Sequence, residues 1–431
     1  MTNPDHRALP ALSAAAEAGI ALGWDIMDRC RAHTDIAEAT NLRLASGHAI
    51  EWDAAAIGHG DLGVAMAFSV ADQLDPDGGW DQIARTHLAK AAHRLQQNPS
   101  PGLGLFAGAG GLAFALRAHS RKGQRYQAAT TNTDLLLVKA LDDAVENIDI
   151  ESGSATSFYD VVSGIAGAVT YAFTTEAGTG ALGPSALRAI NVLAELALAD
   201  GPGGLWTPGD KLNEYEREWS AQSRSGQLNC GFAHGIAGVL NVLSQACDRG
   251  WGSSAVADAT EHLAEILLNA SDRDGELRVP RVLPSSATAP TVPQRYAWCY
   301  GNLGAALPFY NSTTLRRKYP GVVPRLLDTT TCGGKDLHDG DSSLCHGQAG
   351  QLVLERIVLG ENTLDRNVAA MLRLKNPRRA FLLDCGPTSA HLDSPGFLIG
   401  SGGAAAALLS LLMPADSMDF TRMLTGSWIH W

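Results

Sequence analysis

The chain has 431 residues, 45% of them hydrophobic and 18% charged, a balance that excludes a disordered protein. A formal charge of −12 argues against a nucleic-acid or anionic-membrane surface. No run reaches about 18 uninterrupted apolar residues, so no membrane span is expected. Glycine is the outlier: 46 residues, about 11% of the chain against a usual value near 7%, with no three-residue collagen period.

The first 23 residues lack the basic start and long apolar stretch of a secretory signal, and the seven cysteines (30, 230, 247, 299, 332, 345 and 385) are odd in number and scattered. A cytoplasmic protein with unpaired thiols is expected. Residues 11–33 read as an opening amphipathic helix. From there Gly-x-x-Gly recurs at 60/63, 108/111, 164/167, 235/238, 301/304, 347/350 and 400/403. An apolar run follows each pair, such as VAMAFSVADQL, VLNVLSQA and AAAALLSLL, and amphipathic stretches lie between them at 81–97, 133–147, 185–200, 254–270 and 361–375. Each repeat therefore reads as an apolar inner helix entered through a tight glycine turn, then an outer helix with one polar face.

Seven such pairs predict an all-α fold, an α/α toroid of seven inner and seven outer helices around a central cavity; the alternative is an open helical-repeat solenoid. Glycine at every inner-helix start favours closure, because it permits close backbone approach where seven segments crowd together. Two connections exceed a turn. Residues 201–228 contain GPGG, TPGD and EYERE, and 271–294 contain four prolines; both are candidates for a lid, rim or small insertion.

If the repeats superpose, the two residues before each first glycine are equivalent: Gly58-His59, Phe106-Ala107, Val162-Ser163, Ala233-His234, Cys299-Tyr300, Cys345-His346 and Leu398-Ile399. A toroid brings His234, Cys299, Cys345 and His346 together. Two thiolates and one imidazole suit one Zn2+ and leave a tetrahedral position open. Two thiolates also cancel the ion's charge, so a third, substrate thiolate would keep its nucleophilicity, and thiol alkylation fits better than hydrolysis. Rival metal sets are Cys332, His338, Cys345 and His346, or Cys230 with His234. Cys30, Cys247 and Cys385 read as core or surface, and His59 as structural.

The motifs SGIAG (163–167), AHGIAG (233–238), WCYGNLG (298–304), CHGQAG (345–350) and GFLIGSGG (396–403) resemble the LanC family of lanthionine synthetases, in its stand-alone, nisin-cyclase type. The resemblance runs from residue 58 to about 413 and implies one LanC-like toroid domain over 1–431, with 201–228 as a possible insertion. It implies zinc-dependent addition of peptide Cys thiols to dehydroalanine or dehydrobutyrine, forming (methyl)lanthionine rings. Cys299, Cys345 and His346 are then the zinc ligands, His234 an acid/base residue and Asp160 its partner. Arg295 matches a family arginine; as a permanent cation it would stabilise enolate charge or orient the histidine ring, the alternative being a buried salt bridge with Asp160. Trp298 and Tyr300, from WCYG, join the candidate site as its wall. The implied partners are a dehydrated precursor peptide and a separate dehydratase, since only about 57 residues precede the first glycine motif. Alternatives are a LanC-like enzyme adding glutathione or another thiol to dehydroamino acids, zinc-dependent prenyl transfer to cysteine, and a non-catalytic helical-repeat scaffold that binds peptides.

Overall fold

The structure is a computed structural model and describes residues 12–33, 42–43, 49–98, 102–174, 180–199, 203–219, 225–273, 275–284, 296–328, 340–386 and 392–427. In chain order it runs α1 (Ala14–Ala32), the antiparallel two-residue strands β1 (Leu42–Arg43) and β2 (Ala49–Ile50), then α2 (Asp61–Leu74), α3 (Trp80–Gln97), α4 (Ala109–Ala118), α5 (Gln127–Glu146), the single turn α6 (Thr156–Tyr159), α7 (Ile165–Ala172) and α8 (Leu182–Leu198). Next come β3 (Trp206–Pro208), α9 (Glu214–Trp219), β4 (Gly226–Asn229), α10 (Ile236–Asp248), α11 (Ser254–Ser271), β5 (Asp272–Arg273), β6 (Glu276–Leu277) and β7 (Val282–Pro284). The remainder is α12 (Asn302–Asn311), α13 (Thr313–Lys318), α14 (Val322–Leu326), α15 (Gln348–Leu359), α16 (Leu364–Arg373), α17 (Ser401–Leu409) and α18 (Asp419–Thr425).

Seven helices, α2, α4, α7, α10, α12, α15 and α17, are buried along almost their whole length, and each begins one residue after the first glycine of a motif. Each packs on the next, and α17 packs on α2, so the inner layer is a closed ring. Every inner helix is backed by an outer one, and α1 backs α17, which joins the start of the chain to its end. The fold is thus an α/α toroid, not an open solenoid.

The outer helices follow the predicted amphipathic stretches within a few residues, with one exception. The seven-pair count requires an outer helix after α12 but no amphipathic stretch placed it, and there the layer is broken into α13 and α14. Pro320 cannot continue a helix, and Gly321 takes a left-handed φ of 88°.

The glycines are explained by contact. A Cβ on the second glycine of each motif would meet the carbonyl oxygen six residues earlier: Ile57 at 2.2 Å from Gly63, Leu105 at 2.9 Å from Gly111, and Val161 at 2.2 Å from Gly167. The same holds for Phe232 at 2.2 Å from Gly238, Trp298 at 2.1 Å from Gly304, Leu344 at 2.2 Å from Gly350 and Phe397 at 1.8 Å from Gly403. Those loops then hydrogen-bond around the ring through main chain alone. Ile57 N–H donates to Phe106 O (2.8 Å), Phe106 to Val162 (3.0 Å), Val161 to Ala233 (3.2 Å), Ala233 to Cys299 (3.3 Å), Cys299 to Cys345 (3.3 Å), Cys345 to Leu398 (2.8 Å) and Leu398 to Gly58 (3.2 Å). Seven bonds close the circle, and they fall on or beside the positions that the repeat register equates.

The last helix, α18, which was not expected, docks against side chains of the inner layer. Its last carbonyls have no partners within the helix. Trp298 Nε1–H donates to Leu424 O (2.7 Å), Asn311 Nδ2 to Thr425 O (2.8 Å) and Gln245 Nε2 to Gly426 O (2.5 Å). Polar side chains inside otherwise apolar inner helices thus seat the C-terminal helix.

The stretch 201–228 supplies β3, α9 and β4, and β4 pairs on its other edge with β7 from the second long connection. The antiparallel register is Trp206↔Leu228 and Leu228↔Leu283. This small sheet delivers the chain into the AHG motif.

Candidate metal centre

Cys299 and Cys345 are adjacent members of the main-chain ring, joined by the 3.3 Å bond described above. Their thiols and the His346 imidazole lie within 4.8 Å of one another. A tetrahedral zinc with bonds near 2.3 Å to sulfur and 2.1 Å to nitrogen separates its ligands by about 3.7 Å, so the set needs to contract by about 1 Å at most. The residues fit such an ion. Cys299 is buried, and Cys345 and His346 are partly open, so the site has one accessible side.

His346 is flanked by a buried carboxylate that the sequence reading missed. Asp341 Oδ2 lies 3.1 Å from His346 Nε2, a charge contact in which the buried oxygen accepts no aligned hydrogen bond. Asp341 is 1% exposed, and its Oδ1 accepts the Ser343 N–H (2.8 Å) and the Gly386 N–H (2.9 Å). Burial pushes the Asp341 carboxyl up, but the His346 charge and these N–H groups outweigh it and hold the group below the usual carboxylate range.

His234 stands on the neighbouring repeat. Its Nδ1 is 2.5 Å from Asp160 Oδ2, while Asp160 Oδ1 accepts the Ser163 and Gly164 N–H groups at 2.6 and 2.9 Å. The carboxylate is buried to 1% exposure, whereas the imidazole is 37% exposed and its Nε2 is not taken by Asp160. Burial works to strip the ring of its proton. The Asp160 charge and hydrogen bond, aided by Cys299 and by Glu216, outweigh it and raise His234 above the ordinary histidine range. Asp160 thus stands against Nδ1 of the ring and favours its protonated form.

Tyr300 is buried with its ring 6.3 Å from that of His234, and its hydroxyl accepts from Asn229 Nδ2 at 3.1 Å. Arg281, at the edge of the small sheet, lies over the Tyr300 ring at 5.6 Å. Trp298 points the other way. It is 1% exposed, packs on Phe106 and Phe232 at 5.1 and 6.0 Å, and anchors α18. Arg295 lies outside the described residues, as do Cys332 and His338 of one rival metal set. The other rival fails: Cys230 is fully buried with its thiol pushed up to about 12 by burial, and among the described residues only Cys299, Cys345 and His346 form a metal-competent group. Cys30 and Cys385 are likewise core thiols, raised by burial.

Asp341, Glu216, Asn229 and Arg281 were not named from sequence. Asp341 had a usable signal, since Asn229, Asp341 and Ser394 each stand six residues before the first glycine of their motifs.

Among solved structures, a nisin cyclase superposes with a TM-score of 0.71 over 95% of this chain and 96% of that one, at 17% identity. Nisin biosynthesis protein NisC of Lactococcus lactis subsp. lactis is 23% identical over 261 residues, an alignment spanning 57% of this chain and 60% of that protein. The family model for lanthionine synthetase C-like proteins matches residues 51–425. With the toroid, the glycine ring and the Cys-Cys-His cluster, this match establishes that the chain belongs to the lanthionine synthetase C-like family.

Proposed function

We propose that the protein is a zinc-dependent lanthipeptide cyclase, which adds a cysteine thiol of a dehydrated precursor peptide to a dehydroalanine or dehydrobutyrine of the same peptide. The observation that carries the reading is the Cys299/Cys345/His346 cluster on the ring position next to the His234–Asp160 pair. Cys299, Cys345 and His346 hold the zinc, which when bound lowers the proton affinity of an incoming thiol and, neutralised by two thiolates, leaves that sulfur nucleophilic.

In the addition a C–S bond forms at the β-carbon, and the thiol's proton is matched by one delivered to the α-carbon. His234 gives that proton from Nε2, because Asp160 occupies Nδ1 and stabilises the protonated ring. Tyr300 walls the His234 side of the site, and Arg295 supplies a permanent cation for the developing enolate charge. Trp298 contributes by holding α18 against the ring. The substrate is dehydrated by a separate enzyme, and the location is the cytoplasm. No helix of the described residues is long and apolar enough to cross a membrane.

Cyclisation leaves peptide mass unchanged, so the test follows loss of alkylatable thiol in a dehydrated, cysteine-containing peptide. Cys345→Ala protein is expected to lose zinc and thiol consumption together. His234→Ala is expected to keep zinc and lose about 10²- to 10⁴-fold in rate. Thiol consumption by Cys345→Ala at the wild-type rate sinks the metal reading; an undiminished His234→Ala sinks the acid. Competition between glutathione and the peptide's own thiol separates ring closure from intermolecular thiol addition.

A further inference from the structure

We propose that Asp341 is a positioning residue for the metal centre: its buried carboxylate holds the His346 ring with Nδ1 turned to the ion, and so sets the affinity of the site. The inference rests on the zinc reading of Cys299, Cys345 and His346.

The repeats provide an internal comparison. Six residues before their first glycines, Asn229, Asp341 and Ser394 perform the same backbone task. Asn229 Oδ1 accepts the Gly231 N–H (2.9 Å), Asp341 Oδ1 the Ser343 N–H (2.8 Å) and Ser394 Oγ the Gly396 N–H (3.1 Å). A neutral acceptor satisfies that turn in two repeats out of three. Asp53 turns the first repeat similarly through the Ala55 N–H, but it is 46% exposed and its charge stays hydrated. At 341 the charge is buried to 1% exposure, where a carboxylate is costly unless something answers it. Its second oxygen, Oδ2, accepts no aligned hydrogen bond and stands 3.1 Å from His346 Nε2, in the one repeat whose pre-glycine histidine belongs to the cysteine cluster. The turn needs an acceptor, but it does not need a charge; the ligand does. A carboxylate facing Nε2 demands a proton there, which vacates Nδ1 for a metal and raises its basicity.

Asp341→Asn separates the two roles. Its amide oxygen still accepts the Ser343 and Gly386 N–H groups, while its NH₂ faces Nε2 and favours the tautomer protonated on Nδ1. Zinc affinity, measured by competition with a chromogenic chelator, is expected to fall about 10- to 100-fold. The cobalt-loaded protein is expected to show an altered ligand-field spectrum, while the metal-free protein melts like wild type. Asp341→Ser, the residue used at 394, is expected to behave alike. Wild-type affinity and spectrum in folded Asp341→Asn or Asp341→Ser would overturn the proposal. So would loss of fold in both, since the carboxylate would then serve the chain rather than the metal. If the wild-type protein itself takes up no zinc, the zinc reading fails, independently of Asp341.

Discussion

Gly350→Ala tests whether glycine contact positions the chemistry. The new Cβ would stand 2.2 Å from Leu344 O, about 1 Å inside ordinary contact, and the obstacle is backbone rather than a side chain that can swing away. Overpacking of this kind costs about 1–3 kcal/mol, from which the lower chain entropy of alanine recovers about 0.4–1 kcal/mol. For 431 residues the unfolding entropy is on the order of 0.9 kcal/mol/K, so a net loss of about 1–2 kcal/mol moves the melting temperature by only about 1–2 °C. The sensitive readout is local. Leu344 leads directly into Cys345 and His346, whose loop is tied to Leu398 and Cys299 by single main-chain bonds. Zinc retained after dialysis against a weak chelator is therefore expected to fall well before global stability does. Gly180→Ala is the control, since nothing lies within 4 Å of a Cβ there, and it should be neutral or slightly stabilising. Equal zinc retention by Gly350→Ala and wild type would refute the claim that these glycines place the ligands.

Asp160→Asn keeps an acceptor for Ser163 and Gly164 but removes the charge that raises His234. Protonated His234 is the active form, present below its pKa and lost as pH rises through it. The alkaline limb of the pH–rate profile is therefore expected at lower pH than in wild type, and an unmoved limb would detach Asp160 from the acid. Trp298→Phe retains much of the buried area and leaves the Leu424 carbonyl without its donor, at a cost of about 1–3 kcal/mol in denaturant unfolding. With zinc affinity unchanged, that result separates the docking of α18 from the chemistry.

The repeating parts were the readable parts. A Gly-x-x-Gly register recurs because each second glycine meets the same carbonyl, so position in the motif translated directly into position on the ring, and Cys299, Cys345, His346 and His234 could be brought together on paper. The broken outer layer at α13 and α14 escaped because six- and five-residue helices carry too little periodicity to stand out. The seat of α18 escaped for a different reason. Asn241, Gln245 and Asn311 read as blemishes in apolar runs until the carbonyls of a helix more than a hundred residues later arrive beside them. Asp341 lies just outside the motif that frames CHG. Its meaning depends on which nitrogen of His346 it faces, and no spacing encodes that.

The closed circle of main-chain bonds also dictates when the site can exist. Cys345 donates to Leu398, and Leu398 in turn donates to Gly58. During synthesis the ligands are all made before residue 398, so the loop that carries two of them gains its last partner only when residues near 398 and helix α17 have emerged and docked against α1 and α2. Domains generally fold as units as the chain is made. Here the unit is the complete circle, so the metal centre is a product of ring closure, and a nascent chain that ends short of α17 offers its cysteines to the solvent without a built site around them.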